Sequence, residues 1–261
     1  MSVMEADTIR AAFARQGFVN LGRALSDDDL ARFEALYEND RRQYHYFWHH
    51  YGYHQAANYE ALVTTPAFDD LIRHPDLLPL IEAVLGGPSC FGEIGLRRMR
   101  AYKGKLHREW HRDRPHWVDH PLRCDYVQLI VYLSDVDEAT HCLSVSPESV
   151  DEPVLHDNGE QLERGGVVDI PGPAGTCALF NASVLHTATT RPTDVVRRSV
   201  QIYYGHRDRS PLANDSSIPP ALWRDHPDAE ARAFYGVLNE RTRTLMRAFG
   251  SDEEGGDPSH A

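Results

Sequence analysis

The stretch Tyr126-Val-Gln-Leu-Ile-Val-Tyr-Leu133 decides the fold class, because its β-branched and aromatic composition is typical of a β-strand. Turns rich in proline and glycine, notably at 171–175, bound runs of this kind. Three more strand-like runs lie outward from the first, at 93–102, 176–180 and 197–204. The sequence therefore predicts a β core in the part of the chain that follows Gly86-Gly87-Pro88.

Helical patterns flank this β core on both sides. On the N-terminal side, apolar residues recur at helical spacing over 4–15, Ser26 before three aspartates has the form of a helix N-cap, and a further helix is expected at 77–85. On the C-terminal side, a loop-like segment at 205–227 precedes a helical pattern at 229–249. The apolar side of that last pattern consists of Phe234, Leu238, Leu245 and Met246. The predicted fold class is mainly β with flanking α-helices.

A chain of 261 residues that is 41% hydrophobic suits one large domain with a single core. We expect that domain at 1–250. Its expected parts are a helical N-terminal part at 1–88, the β core at 89–206, and a C-terminal loop and helix at 207–250. The last residues, 251–261, are too polar to bury anything and are predicted to be disordered.

Charge and composition limit the partners of the protein. With 27 basic against 39 acidic residues the formal net charge is −12, which argues against nonspecific binding of nucleic acid. No apolar run approaches the roughly 20 residues of a membrane span, and the N-terminus has no apolar signal-type stretch. The four cysteines lie far apart without a Cys-x-x-Cys pair, so we expect reduced thiols in a cytoplasmic protein. The sequence carries no indication of an oligomeric state.

Candidate metal ligands lie in the β-rich half of the chain. His111 and Asp113 are two residues apart, so on an extended segment their side chains leave the same face and can share one metal ion. His186, which follows the run at 176–180, is the best candidate for a third ligand. Two histidines and one carboxylate form the facial triad of non-haem Fe(II) oxygenases, which leaves iron sites open for a co-substrate and dioxygen. The neighbouring histidines that could replace His111 are expected to be exposed or to act from outside the ligand set: His107, His116 and His120.

An arginine and a serine downstream predict a carboxylate site. Arg197 lies eleven residues after His186, and Ser199 follows at period two on a predicted strand, so both side chains share one face. A guanidinium binds a carboxylate through two hydrogen bonds and a hydroxyl adds one more donor. Together they suit the distal carboxylate of 2-oxoglutarate. Gln128 is a further candidate donor to this co-substrate, although a satisfied core amide is an equal interpretation.

In order and spacing, these residues resemble the phytanoyl-CoA dioxygenase family of iron- and 2-oxoglutarate-dependent oxygenases. The resemblance covers residues 10–206, and it departs at 139–142 and 146–149, where members usually carry an Asn-Gly segment and a Pro-Gly-Ser-His turn. That departure concerns the substrate side and leaves the metal ligands untouched. The parts that carry the resemblance are Gly17-Phe18-Val19, Leu25-Ser26, Trp110-His111-Arg112-Asp113, 129–136, Pro173-Ala174-Gly175-Thr176, Leu185-His186 and Arg197-Arg198-Ser199.

The resemblance implies a double-stranded β-helix, or jelly-roll, core and an enzyme that uses Fe(II), 2-oxoglutarate and O₂ and releases succinate and CO₂. By the same likeness His111, Asp113 and His186 hold the iron, while Arg197 and Ser199 hold 2-oxoglutarate. Halogenases of this family look like the same site with a small residue in place of the aspartate. The presence of Asp113 therefore favours hydroxylation or oxidative ring closure over halogenation.

The expected substrate is a small-molecule natural product. The segment 44–53 is unusually aromatic, which suits stacking against a sugar-containing or polycyclic secondary metabolite, as in antibiotic biosynthesis. No large basic surface is evident, and this argues against an acyl-CoA, whose phosphates would require one. Packing at a helix-to-loop junction is an equal interpretation of the aromatic segment.

Two alternative functions remain at this stage, of which a catalytically silent binding or scaffold protein of the same fold is disfavoured because all three candidate ligands are present. A redox-inert β-helix protein could hold zinc at the same triad, as a hydrolase or binding module with His116 or Asp119 as general base. That interpretation leaves the pair Arg197 and Ser199 without a purpose. The dense cationic run at 97–108 is expected to be a solvated strand face, and Arg198, which faces away from Arg197, is expected to pair with a surface acid.

Overall fold

A computed structural model describes residues 6–249, so the predicted disordered tail at 251–261 lies outside the described residues. The helices are α1 Ala6–Gln16, α2 Asp27–Gln43, α3 Ala61–Thr64, α4 Asp69–Ile72, α5 Leu78–Leu85, α6 Asn158–Gly165, α7 Pro220–Trp223, α8 Ala229–Tyr235 and α9 Glu240–Ala248. The strands are β1 Phe18–Arg23, β2 His49–Tyr51, β3 Gln55–Asn58, β4 Ser89–Met99, β5 Val127–Tyr132, β6 Cys142–Val145, β7 Val168–Ile170, β8 Thr176–Asn181, β9 His186–Thr189 and β10 Arg197–His206.

Two antiparallel sheets form the core. The larger has seven strands in the order β1-β8-β5-β10-β4-β3-β2, and the smaller has three in the order β7-β6-β9. Most strands that pair in space are distant in sequence, because the chain crosses repeatedly between the two sheets. Strand β5, from the stretch at 126–133, for example pairs with β8 and β10 inside the large sheet. The prediction of a mainly β fold with flanking helices is confirmed.

The central strand β5 is apolar on both faces because each face meets a different layer. Leu129 and Val131 pack into the cluster that the helices share with the outer face of the large sheet. Ile130 and Tyr132 point the other way, into the cluster between the two sheets. Gln128 shares the second face by the period-two alternation of a strand, which puts a polar group in the space between the sheets.

The N-terminal helices form as the local signals predict. The Ser26 hydroxyl accepts a hydrogen bond from the backbone N–H of Asp29 at 3.1 Å and so caps α2. Ile9 and Phe13 of α1 are fully buried, and α1 packs against α5. Among residues 6–249 no helix is long and apolar enough to cross a membrane.

The predicted C-terminal helix at 229–249 is wrong as a single element. The chain leaves helical geometry after Tyr235 and begins α9 at Glu240, because the Asn239 side chain caps the new helix through the backbone N–H of Thr242 at 2.9 Å. Leu245, expected on the apolar side, is 46% exposed. The apolar residues keep a helical spacing across the break, so the pattern alone does not reveal it. The cap at Asn239 acts only on the first turn of the helix that follows it.

The aromatic segment at 44–53 forms a hairpin that the sequence did not predict. Strands β2 and β3 pair at the edge of the large sheet, and Gly52 at the turn has a φ of 51°, which suits a residue without a Cβ. The indole N–H of Trp48 donates to the buried carboxylate of Asp40 at 2.9 Å and ties the start of the hairpin to α2. Register with β4 then brings Tyr51 towards the space between the sheets, where it lines two neighbouring cavities.

Candidate functional site

The structure brings together the three side chains that the sequence singled out as metal ligands. The Nε2 atoms of His111 and His186 lie 3.4 Å and 3.3 Å from the two carboxylate oxygens of Asp113. One ligand atom from each residue falls within 4.8 Å of the others, and this is the only such group of three among the residues that the structure describes. The spacing suits one metal ion between two imidazoles and a carboxylate.

Backbone hydrogen bonds orient both imidazoles. Nδ1 of His111 lies 2.8 Å from the carbonyl oxygen of Glu109, and Nδ1 of His186 lies 2.9 Å from that of Val184. Each Nδ1 donates its proton to a carbonyl, so each Nε2 keeps its lone pair for a metal. The two ligand-bearing segments are also joined directly, because His111 and His186 exchange backbone hydrogen bonds of 3.0 Å in both directions.

The carboxylate of Asp113 is held in its ionised form. The hydroxyl of Tyr203 on β10 donates to Asp113 Oδ2. Burial opposes ionisation, but the rings of His186 and His111 and this hydroxyl outweigh it and lower the pKa of Asp113 far below its ordinary value of 3.8. An ionised carboxylate that is fixed on one oxygen presents the other towards a metal.

Glu148 braces the two loops that carry the ligands. Its buried carboxylate accepts hydrogen bonds from the guanidinium of Arg112, from Nε2 of His116 at 3.1 Å and from the backbone N–H of Leu185 at 2.9 Å. Burial raises the pKa of Glu148, but these three donors outweigh it and lower the pKa below 4.5. Glu148 lies in the segment where the sequence departs from the resembled family pattern, so this segment supports the ligand loops.

Arg197 and Ser199 present unsatisfied donors to the space between the sheets. Arg197 is 1% exposed, yet all three of its guanidinium nitrogens lack a hydrogen-bond partner in the described chain. Ser199 is fully buried and its hydroxyl oxygen is also without a partner. Burial lowers the pKa of Arg197, because the charge has lost water without gaining a counter-ion. Such a cluster of buried donors fits the carboxylate of a bound small molecule.

One cavity of about 60 Å³ connects the guanidinium of Arg197 with the three candidate metal ligands. Arg197, Gln128 and the three ligand residues all line it. Gln128 is 3% exposed and lies opposite Tyr203 in the pairing of β5 with β10. The site residues predicted from the sequence therefore converge on one space, although Ser199 is not among the residues that line it directly.

The prediction for the cationic run at 97–108 is wrong for Arg97. This side chain is 4% exposed and lines the same cavity. Its guanidinium lies 3.8 Å from the ring centroid of Tyr51 and 4.8 Å from that of Tyr59, and it donates to the Tyr59 hydroxyl. The aromatic hairpin covers the face of β4 that carries Arg97. Tyrosine rings therefore surround this guanidinium, where the sequence predicted solvent.

The prediction for Arg198 is confirmed, and the histidines near His111 lie outside the ligand group, although His120 is buried and not exposed. Arg198 points outward and pairs with Glu34 and Glu38 on α2 at 3.1 Å and 3.2 Å. His120 bonds to the Leu85 carbonyl at 2.9 Å, and His107 stacks on Tyr53 at 3.7 Å between centroids, so neither belongs to the ligand group. His116 pairs with Glu148, and nothing supports its use as the general base of a zinc hydrolase.

Sequence reasoning missed Tyr203, Arg97 and Glu93, although a pattern for them exists. Odd-numbered residues of β10 from Arg197 to Tyr203 face the space between the sheets, and odd-numbered residues of β4 lie opposite them, with Arg97 across from Ser199 and Glu93 across from Tyr203. Polar residues at every second position of two paired strands would have identified this face. The pairing itself was needed to apply that rule.

Comparison with known proteins agrees with this geometry. The family model for phytanoyl-CoA dioxygenase (PhyH) matches residues 13–199. An L-proline trans-4-hydroxylase of Streptomyces griseoviridis is 25% identical, with 83% of this chain and 92% of the relative covered.

Two solved structures show the same fold. The epimerase SnoN from nogalamycin biosynthesis, in complex with Fe³⁺, α-ketoglutarate and nogalamycin RO, matches with a TM-score of 0.65 and 20% identity over 77% of this chain and 84% of that one. EctD from S. alaskensis, with 2-oxoglutarate and 5-hydroxyectoine, matches with a TM-score of 0.66 and 20% identity over 88% and 86%.

These matches confirm the predicted jelly-roll core and the predicted enzyme class, which uses Fe(II), 2-oxoglutarate and O₂. They give no support to the redox-inert alternative. The chain belongs to the phytanoyl-CoA dioxygenase family of non-haem iron, 2-oxoglutarate-dependent oxygenases.

Proposed function

We propose that this enzyme oxidises a small-molecule natural product, by hydroxylation or oxidative ring closure, at an iron held by His111, Asp113 and His186. In this proposal Arg197 and Ser199 bind the distal carboxylate of 2-oxoglutarate, and Gln128 donates to the co-substrate from β5. We take residues 1–250 as one oxygenase domain with a helical part at 1–88, a β core at 89–206 and a C-terminal part at 207–250. Within the described residues the first part also adds β1, β2 and β3 to the large sheet.

The observation that carries the proposal is the fully buried, unpartnered guanidinium of Arg197 in the cavity that contains the triad. A buried charge without a counter-ion is costly, and a dicarboxylate bound at the metal would remove that cost. A zinc hydrolase or an inert binding module gives this arginine no partner. The donor set of two imidazoles and one carboxylate also fits Fe(II), which needs open positions for co-substrate and dioxygen.

The protein's own residues position and protect the reactants. The carbonyls of Glu109 and Val184 hold both imidazoles in the metal-binding tautomer, and Tyr203 holds one oxygen of Asp113. Arg197 fixes the far end of the co-substrate and so sets the orientation of its other end at the metal. When bound, Fe(II) would supply the oxidation of a substrate C–H bond by O₂, coupled to the oxidative decarboxylation of 2-oxoglutarate to succinate and CO₂.

Natural-product relatives support the substrate class. The similar proteins include an epimerase of nogalamycin biosynthesis, a carbocyclase of the same pathway and a proline hydroxylase. Tyr51, from the aromatic hairpin, lines the cavities beside the triad, which suits a ring in the substrate. We further propose a cytoplasmic location, which the four free, buried thiols support.

Anaerobic titration tests the proposal. Metal-free protein is titrated with Fe(II) and then with 2-oxoglutarate, and the visible metal-to-ligand charge-transfer band is followed. We expect a band that His111→Ala abolishes and that His107→Ala, a histidine outside the ligand group, leaves intact. Folded, iron-loaded wild-type protein without a band would overturn the assignment of the co-substrate site.

A further inference from the structure

A second cavity, of about 310 Å³, lies on the other side of Asp113 and Tyr203 from the Arg197 end of the site. Asp113, Tyr203 and Tyr51 line both cavities, so a molecule in the second one lies beside the candidate iron ligands. Its remaining lining includes Glu93 of β4, Arg114, and the loop that carries Asn214 and Asp215. A cavity in this position suits a substrate that reacts at the metal.

Glu93 is a buried acidic group in this lining, which also includes Arg114, whose buried Nε has no hydrogen-bond partner among the described residues. Glu93 is 8% exposed, and its carboxylate accepts a hydrogen bond from the backbone N–H of Asp215. Within the described residues no basic side chain forms a salt bridge with it, although the charge of Arg97 lowers its pKa from farther off. The nearest arginine along the strand, Arg97, is engaged by the rings of Tyr51 and Tyr59. A buried carboxylate without a cation is costly, and the position faces a cavity large enough for a ligand.

The ionisable groups around the cavity are mostly acidic. Asp215 is exposed at the loop, and Asp113 lies on the side of the metal. Even with Asp113 assigned to iron, the carboxylates of Glu93 and Asp215 outnumber the guanidinium of Arg114. Burial and the neighbouring Asp215 raise the pKa of Glu93 to about 8, against the opposing charge of Arg97. At pH 7 Glu93 is therefore mostly protonated in the free cavity, and a cationic ligand would stabilise its ionised form.

A second metal ion does not explain the cluster. The triad is the only group of three metal-ligating side chains among residues 6–249 whose ligand atoms come together, and neither Glu93 nor Asp215 belongs to it. An organic cation does not need three ligand atoms at one point. A protonated amine can donate to one carboxylate while a second carboxylate lies farther off. Tyr51, Tyr126 and Tyr203 supply the ring faces and hydroxyls that would surround its carbon skeleton.

We infer that the primary substrate carries a protonated amine, which the carboxylates of Glu93 and Asp215 bind while Tyr203 and Asp113 separate it from the iron. The inference rests on the proposed function and narrows the substrate to amine-bearing molecules such as amino acids, cyclic amines or amino sugars. Neutral sugars and neutral polycycles are excluded by it, because they bring no positive charge to Glu93 and Asp215. Glu93 acts as the specificity-determining residue and Asp215 as a second carboxylate at the mouth.

Paired ring probes test the inference without knowledge of the natural substrate. Pyrrolidine, protonated at pH 7, and cyclopentanol, a neutral ring of similar size, are each added to anaerobic enzyme loaded with Fe(II) and 2-oxoglutarate. Paramagnetic broadening of their ring protons then reports binding close to the iron. We expect pyrrolidine to bind at least tenfold more tightly than cyclopentanol, which corresponds to about 1.4 kcal/mol.

Three variants show which carboxylate is responsible. Glu93→Gln keeps the shape of the side chain and should abolish the preference for pyrrolidine, and Asp215→Asn on the exposed loop should reduce it. Glu138→Gln, an exposed carboxylate outside the cavity, should preserve it. Equal binding of the two probes, or an undiminished preference in Glu93→Gln, overturns the inference.

Failure of this inference is distinguishable from failure of the proposed function. If the charge-transfer band forms and the amine preference is absent, only the substrate inference is wrong. If the band does not form, the same probe pair is compared on metal-free protein by saturation-transfer NMR, and loss of the pyrrolidine preference in Glu93→Gln still supports the amine site.

Discussion

Arg97 and Arg197 are both the first residue of an Arg-Arg pair, and both are buried on neighbouring strands, but the structure treats them in opposite ways. Arg97 at the aromatic hairpin lies against two tyrosine rings and donates to one of their hydroxyls. Arg197 at the other end of the cavity lies 5.9 Å from the ring centroid of Tyr132 but has no hydrogen-bond partner for any of its three nitrogens. Burial alone therefore does not mark a ligand site, whereas a buried guanidinium with all its nitrogens unpartnered indicates one.

The largest expected effect concerns the arginine without a partner. Arg197→Ala should raise the apparent requirement for 2-oxoglutarate at least tenfold, because it removes a charge-assisted hydrogen bond that contributes about 1.5–3 kcal/mol. Steady-state succinate release against 2-oxoglutarate concentration measures the effect. The matched control is Arg198→Ala, whose side chain pairs with acids of α2. An unchanged requirement in Arg197→Ala would refute its role as the anchor.

The second prediction compares the two arginines in the absence of co-substrate. Arg97→Leu should lower the free energy of unfolding by about 2 kcal/mol, because it removes desolvated cation–π contacts and leaves the Tyr59 hydroxyl without its donor. Arg197→Leu should leave the stability of the metal-free protein unchanged or raise it, since an unpaired buried charge is lost. Urea unfolding of both variants measures the difference, and equal destabilisation by the two changes would contradict the comparison.

The smallest expected effect concerns the neutral donor beside Arg197. Ser199→Ala should raise the 2-oxoglutarate requirement by roughly fivefold, which corresponds to about 1 kcal/mol, because a single uncharged donor to the distal carboxylate is lost. The same succinate assay measures it, with Ser144→Ala as control, since that hydroxyl bonds to Asp169 in the smaller sheet. If Ser199→Ala had as large an effect as Arg197→Ala, the distal carboxylate would depend on the hydroxyl more than on the charge.

Local patterns were sufficient for much of the architecture. Ser26 predicted the start of α2, and the apolar run around Leu129 predicted the central strand, because a helix cap and a strand composition act over a few residues. The break between α8 and α9 was missed, because the side-chain cap of Asn239 competes with a periodicity that continues past it. The unexpected hairpin at 49–58 depends on an edge of the sheet that exists only after β4 has folded.

The sequence by itself determined the kind of chemistry, because His111 and Asp113 are two positions apart and Arg197 and Ser199 share a strand face by the period of two. Only the tertiary structure decided which charged groups have partners. Tyr51 and Tyr59 reach Arg97 through the pairing of β3 with β4, and the loop at 212–215 reaches Glu93 from more than a hundred residues away in sequence. Desolvation and partner geometry depend on everything packed around a group, and a linear pattern does not contain that information.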